Sequence, residues 1–363
     1  MPRISDNTNG CRFRIHVTAA IVLFFVTPLV LGGDEPAAVW PLWDGHETVE
    51  QYAHRVNLPP TKTLDLGNGV KLETVLIPAG KFIMGTPERE KPAVGQTMAG
   101  ISAGVLLALV MTLLIRAWKK HNRPQFSLAF MLLMTVVASI GVWGGVRWRE
   151  ALKRVDANDD EHPAHEVTLT NVFYMGKYTV TQEQYQQVMR WNPSQFKGYS
   201  NPVETVSWDE TQDFCKNLTH QTKQPVRLPT EAEWEYSCRA GTRSTYYSGD
   251  TDKDLDRVAW YDSNSKNTTH AVGQKEANGF GLYDMQGNVW QWCLDLYGED
   301  YYGKSPAKDP GGPTQGHGYV MRGSSWGDAR VCCRSAYRSW HTPEHRHDYH
   351  GFRVVVAPLS RTP

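Results

Sequence analysis

The chain predicts an α+β fold of a few short helices, short strands and much ordered loop, interrupted by a two-helix hairpin of membrane-spanning length. Three observations carry this. Helix starts are marked by capping boxes at Thr181 with Gln184, Ser207 with Glu210 and Thr230 with Glu233, in which a hydroxyl and a Glu or Gln three residues on satisfy one another's free amides. Short apolar alternations mark strands, and beyond Gly241 glycine, asparagine and aromatics dominate with no long periodic segment. Residues 93–115 and 125–146 carry no charge, and each is long enough to cross a hydrocarbon core as a helix.

In chain order, residues 15–31 are apolar, follow Arg3, Arg12 and Arg14, and end at Gly32-Gly33. That pattern reads residues 1–33 as a signal peptide or signal anchor. Cys11 precedes the apolar core, so a lipid-modified cysteine is not indicated. Residues 34–61, with prolines, Trp40 and Trp43, read as a linker with some ordered contacts. A domain begins over 62–97, with two short strands expected around the Pro78-Ala79-Gly80 turn. The transmembrane hairpin occupies 98–147. Basic residues lie between the two spans (Arg116, Lys119, Lys120, Arg123) and beyond the second (Arg147, Arg149, Lys153, Arg154) in equal number, so the N-terminal signal decides orientation and puts the main domain on the periplasmic or extracellular side.

The same domain is expected to resume over 148–358. Val167 and Leu169 share one face of a strand that continues the earlier sheet, so the hairpin interrupts one domain instead of separating two. In the helices that follow, Tyr185, Val188 and Met189, then Phe214, Cys215 and Leu218, form apolar faces, and Trp234 lies on the third helix. Residues 278–292 pack three glycines, four amides and large aromatics without helical or strand period. They predict a shaped loop in which Gly279, Gly281 and Gly287 supply unusual backbone angles and Tyr283, Trp290 and Trp292 bury their rings. Lys+Arg 38 against Asp+Glu 38 leaves no global basic field, which argues against a nucleic-acid partner.

The segments Ile77-Pro78-Ala79-Gly80-Lys81-Phe82, Glu166-Val167-Thr168-Leu169-Thr170, Arg227-Leu228-Pro229-Thr230-Glu231-Ala232-Glu233-Trp234-Glu235, residues 278–292, Arg322-Gly323-Ser324-Ser325-Trp326 and Gly351-Phe352-Arg353 occur in an order that resembles the formylglycine-generating enzyme, or sulfatase-modifying factor, family. The resemblance implies a C-type-lectin-like core. It also implies, in the enzymes proper, oxidation of a sulfatase cysteine to formylglycine with oxygen and a Cu+ ion held by two cysteines. Counting back from Arg338-Ser339 puts Arg330 where the second of those cysteines would stand, and the stretch from Gly327 is too short to supply the first. Cys332 and Cys333 are adjacent instead, and adjacent side chains in an extended segment point to opposite faces. Packing roles, pairing of one thiol with Cys293, and a redox or metal role all stay open for them.

The resemblance further implies a calcium site, Ca2+ held by Asp284, Gly287, Val289 and Gln291, with a self-satisfied Asx turn as the plain alternative. The side chains of His341, His345, His347 and His350 crowd one stretch, where metal binding competes with a solvated loop around Pro343, Glu344 and Asp348. Two functions follow. One is a membrane-tethered binding or accessory member whose groove near Trp290, Ser325, Trp326 and Arg330 takes a peptide, protein or small-molecule ligand, a sulfatase among the possible partners. The other is a formylglycine-generating oxidase with rearranged thiols, using Cys332 or Cys333.

Overall fold

The computed structural model describes residues 40–86 and 158–357. The expected N-terminal signal and both apolar stretches of the hairpin lie outside these residues; among the described residues no helix is long and apolar enough to cross a membrane.

Helix α1, Val49–Val56, lies within the stretch read as a linker. Its start is another capping box, Thr48 with Gln51, and it buries Val49, Tyr52, Ala53 and Val56. Trp40 is buried beside it, and the Trp43 ring meets Phe280 edge-on at 5.1 Å. Residues 40–56 are therefore integral to the core. Five strands, β1 (Thr61–Asp65), β2 (Lys71–Ile77), β5 (Phe173–Gly176), β11 (Val355–Val356) and β6 (Val226–Arg227), form an antiparallel sheet in the order β1-β2-β5-β11-β6.

A second sheet, β10-β7-β8-β9, contains β7 (Trp290–Leu296), β8 (Tyr319–Arg322), β9 (Arg338–His341) and β10 (His350–Phe352), with β10 parallel to β7. The strands expected around Pro78-Ala79-Gly80 both form, but not as a pair. Strand β3 (Gly80–Met84) leaves β2 and pairs instead with β4 (His165–Leu169), matching Phe82 to Val167. That pairing joins residues from either side of the apolar stretches in sequence. The chain leaves and returns at one point: the Thr86 amide donates to the Glu161 carbonyl at 3.1 Å, and the Thr86 hydroxyl to the Glu161 carboxylate at 2.6 Å.

Helices α2 (Gln182–Met189), α3 (Trp208–Thr222) and α4 (Glu231–Arg239) start at the three expected capping boxes, and α5 (Asp252–Val258) at a further one, Thr251 with Asp254. Helix α4 is buried throughout, and its carboxylates organise what surrounds it. Glu231 takes two bonds from the Arg338 guanidinium, at 2.7 and 3.0 Å, and Glu235 receives Arg322 at 2.6 Å and Arg239 at 2.9 Å. The Gly85 amide also donates to Glu235, at 2.9 Å, so β3, β8 and β9 are all tied to one helix. Buried charges persist where each is paired and hydrogen-bonded, and breaking one such pair costs about 3–5 kcal/mol.

Candidate functional site

The 278–292 loop hangs from the C-terminus of α4. The Asn278 side chain donates to the carbonyls of Ser237 and Cys238 and accepts from the amides of Phe280 and Leu282. Gly281 and Gly287 take left-handed angles, φ 80 and 73, and a Cβ at Gly287 would stand 2.2 Å from the Trp260 carbonyl oxygen. Gly279 does not need such an angle; it is a close approach to the Ala240 carbonyl. Trp290 and Trp292 are buried and Tyr283 is half-buried.

The four residues expected to wrap Ca2+ do gather in this loop, but their side-chain oxygens are engaged. Gln291 Oε1 accepts from Trp234 Nε1 at 2.9 Å and from Arg353 Nε at 2.6 Å, which uses both lone pairs of that oxygen. Asp284 accepts the Gly273 amide at 2.7 Å. Arg353 also donates to the carbonyls of Gly176, Tyr283 and Asp284, so a fully buried guanidinium already supplies the loop's positive charge. Burial pushes the Asp284 carboxyl up to about 6, against the Gly273 bond and the nearby Arg353 charge, and burial lowers Arg353 to about 10. This arrangement does not fit calcium: a cation would have to displace Arg353 from Gln291.

Two of the four expected groove residues, Trp290 and Ser325, meet on one carboxylate, while the Trp326 side chain takes other partners. Trp290 Nε1 donates to Asp328 Oδ2 at 2.8 Å, and the Ser325 hydroxyl makes a short bond to the same oxygen. The half-buried Trp326 leans edge-on against Phe196 and donates to the Asp348 carbonyl at 3.2 Å. Arg330 does not join them; it pairs with Asp252 at the N-terminus of α5, both side chains partly exposed. The residue missed in the sequence is Asp328, since a lone Asp after Ser-Trp-Gly carries no signal until Trp290 of a distant strand is placed against it. Tyr337, tilted against Trp290 with centroids 6.0 Å apart, closes the other side.

Cys332 and Cys333 lie on a 3-10 turn, Arg330–Cys333, and face different partners. Burial pushes both thiols up; Cys333 is fully buried against Ser324, and Cys332 is half-buried against Tyr337. Copper(I) held by two cysteines needs both sulfurs turned to one point, and here each meets a separate partner, Tyr337 for Cys332 and Ser324 for Cys333. Cys293 is buried and free, so it pairs with neither, and Cys215 and Cys238 are buried thiols as their helical positions imply. The histidine stretch is more ordered than a solvated loop: ring nitrogens of His341, His345 and His350 come within 4.8 Å of one another.

Comparison with known proteins accords with this architecture. The chain is 36% identical to the chaperone protein LppX of Paenibacillus barcinonensis, over 36% of this chain and 64% of that protein. It is 34% identical to the formylglycine-generating enzyme of Streptomyces coelicolor, over 43% of this chain and 52% of that protein. The solved structure of Treponema denticola variable protein 1 superposes with a TM-score of 0.59 at 25% identity, covering 83% of this chain and 100% of that one. The chain spans only about half to two thirds of the length of these two curated relatives. A family description, the sulfatase-modifying factor enzyme 1-like domain, matches residues 135–358, which is more than half of the chain, and the chain belongs to that family.

Proposed function

We propose that this chain is a binding or accessory member of the family, held at the membrane by its apolar insertion and facing the periplasmic or extracellular side. It would take a peptide, protein or small-molecule ligand at the surface built by Trp290, Ser325, Trp326 and Asp328. The observation that carries this reading is the fate of the copper position: Arg330 stands there in an ion pair with Asp252, and the neighbouring thiols meet separate partners, Tyr337 and Ser324. The Trp326 ring offers an apolar face, Asp328 an acceptor, and the exposed Arg330–Asp252 pair an exchangeable rim charge. The relative named as a chaperone protein favours an accessory role.

The meeting of Thr86 with Glu161 supports the membrane topology, because two spans return the chain to the side it left. The relative named as a formylglycine-generating enzyme favours the second reading, an oxidase using rearranged thiols. Mass spectrometry separates the two. The full chain, incubated with a cysteine-bearing sulfatase-type peptide, oxygen and Cu+, is expected to leave the peptide cysteine unchanged. Formylglycine that disappears with Cys333→Ser would overturn the binding reading.

A further inference from the structure

A second group of ligating side chains lies beside the groove. His341 ends β9, His350 begins β10, and His345 lies in the loop between them. Their rings crowd together, with centroids 4.1 Å apart for His341 and His345, 4.9 Å for His341 and His350, and 5.1 Å for His345 and His350. Among the described residues no Asp, Glu or Cys joins the three at ligand distance, and Asp348 is engaged by His347 Nδ1 at 2.6 Å.

These imidazoles are not satisfied within the protein. Nδ1 of His350 and Nδ1 of His345 are buried without a hydrogen-bond partner, and His350 is only 1% exposed. Leaving a buried polar atom unpaired costs on the order of 1–3 kcal/mol, so two such atoms in one cluster require a reason.

The loop is pinned from outside, which stops it from folding away. The Thr205 amide donates to the His347 carbonyl at 3.0 Å, the Trp208 amide to the Pro343 carbonyl at 2.9 Å, and Arg346 to Glu210 at 2.9 Å. His341 and His345 are partly exposed, so an ion has an entry path.

We propose that His341, His345 and His350 form a site for one divalent transition-metal ion of borderline softness, of the zinc class, with a further coordination position open to water or a ligand. Imidazole nitrogen suits such ions, and three protein ligands with an open position are the pattern of reactive zinc sites, whereas closed structural sites use four. Metal–nitrogen bonds of about 2.0–2.1 Å require the three nitrogens to draw in to roughly 3.3 Å, and because the His341 and His345 rings are stacked nearly parallel, one of these partly exposed rings must turn out of the stack to aim its nitrogen at the ion. His347, stacked on Tyr349 at 3.7 Å and bonded to Asp348, stays outside the set. This proposal does not depend on the ligand-binding reading of the groove.

The test is calorimetric titration of Zn2+ into the full chain, without a polyhistidine tag and first stripped by chelator, with elemental analysis of the retained ion. The wild type is expected to hold one equivalent. His345→Ala and His341→Ala should each weaken it by at least about tenfold, while His347→Ala and Cys332→Ser leave it unchanged. No zinc in the wild type, undiminished binding in both ligand variants, or loss with Cys332→Ser would overturn the site. Should the histidine variants lose their circular dichroism signal, the Co2+ spectrum of the wild type decides: nitrogen-only ligation supports the site, and a sulfur charge-transfer band refutes it.

Discussion

The loop at residues 284–291 and the loop at residues 341–350 both gather groups that hold cations, and the structure treats them in opposite ways. In the first, an oxygen-rich wrap is closed on itself, because Arg353 and Trp234 occupy Gln291 Oε1 and Gly273 occupies Asp284. In the second, three imidazoles meet with two buried nitrogens unpaired. Residue types alone made the first the better metal candidate. Whether the ligand atoms already have partners reverses the order.

The strongest way to break this comparison is Arg353→Ala. It leaves Gln291 Oε1 short of a donor and removes the buried guanidinium beside Asp284, so a loss of roughly 3–5 kcal/mol is expected in urea unfolding. A loss below about 1 kcal/mol would mean that Arg353 does not hold the loop. Next in size is the pH response of Asp284. Its folded pKa, about 6, lies above its ordinary value of 3.8, so its contribution to stability is fully present below 3.8 and lost as pH rises through about 6. Asp284→Asn removes that dependence, and relative to the wild type it should gain up to about 3 kcal/mol between acid and neutral pH. Parallel stability curves would contradict the shift.

Zinc should sharpen the contrast from the other side. At a hundredfold excess over Kd it should stabilise the wild type by about 2.7 kcal/mol, read as a rise in Tm that His345→Ala cuts to about half or less. Calcium at millimolar concentration should leave Tm unchanged, the smallest of the four effects. A calcium-dependent rise that Gln291→Ala removes would show that the ion can displace Arg353.

The local features were legible in the sequence, and partner choice was not. In the capping boxes at Thr181, Ser207 and Thr230 each hydroxyl lies close in sequence to its own partner, Gln184, Glu210 and Glu233, so they could be read directly. The box at Thr48 is equally local, but it sits among prolines and a short helix, and the stretch read as a linker. That at Thr251 uses Asp254 in place of Glu or Gln. Strands β2 and β3 were visible as strands, yet their pairing with β5 and β4 depends on residues about a hundred positions away.

The same limit governs the site. Cys332 and Cys333 could be separated from the copper pattern by counting alone, and Asp328 could not be found until β7 carried Trp290 to it. The histidines looked solvated because Pro343, Glu344 and Asp348 surround them in sequence. Their confinement comes from Thr205 and Trp208.

The most direct test of where this chain holds a metal is anomalous diffraction from crystals of the full chain soaked in Zn2+, Ca2+ and Cu+ in separate experiments. The account predicts one zinc peak between His341, His345 and His350, and no ion at Gln291 or between Cys332 and Cys333. A calcium ion bound by Asp284 and Gln291, or copper bridging the two thiols, would contradict it.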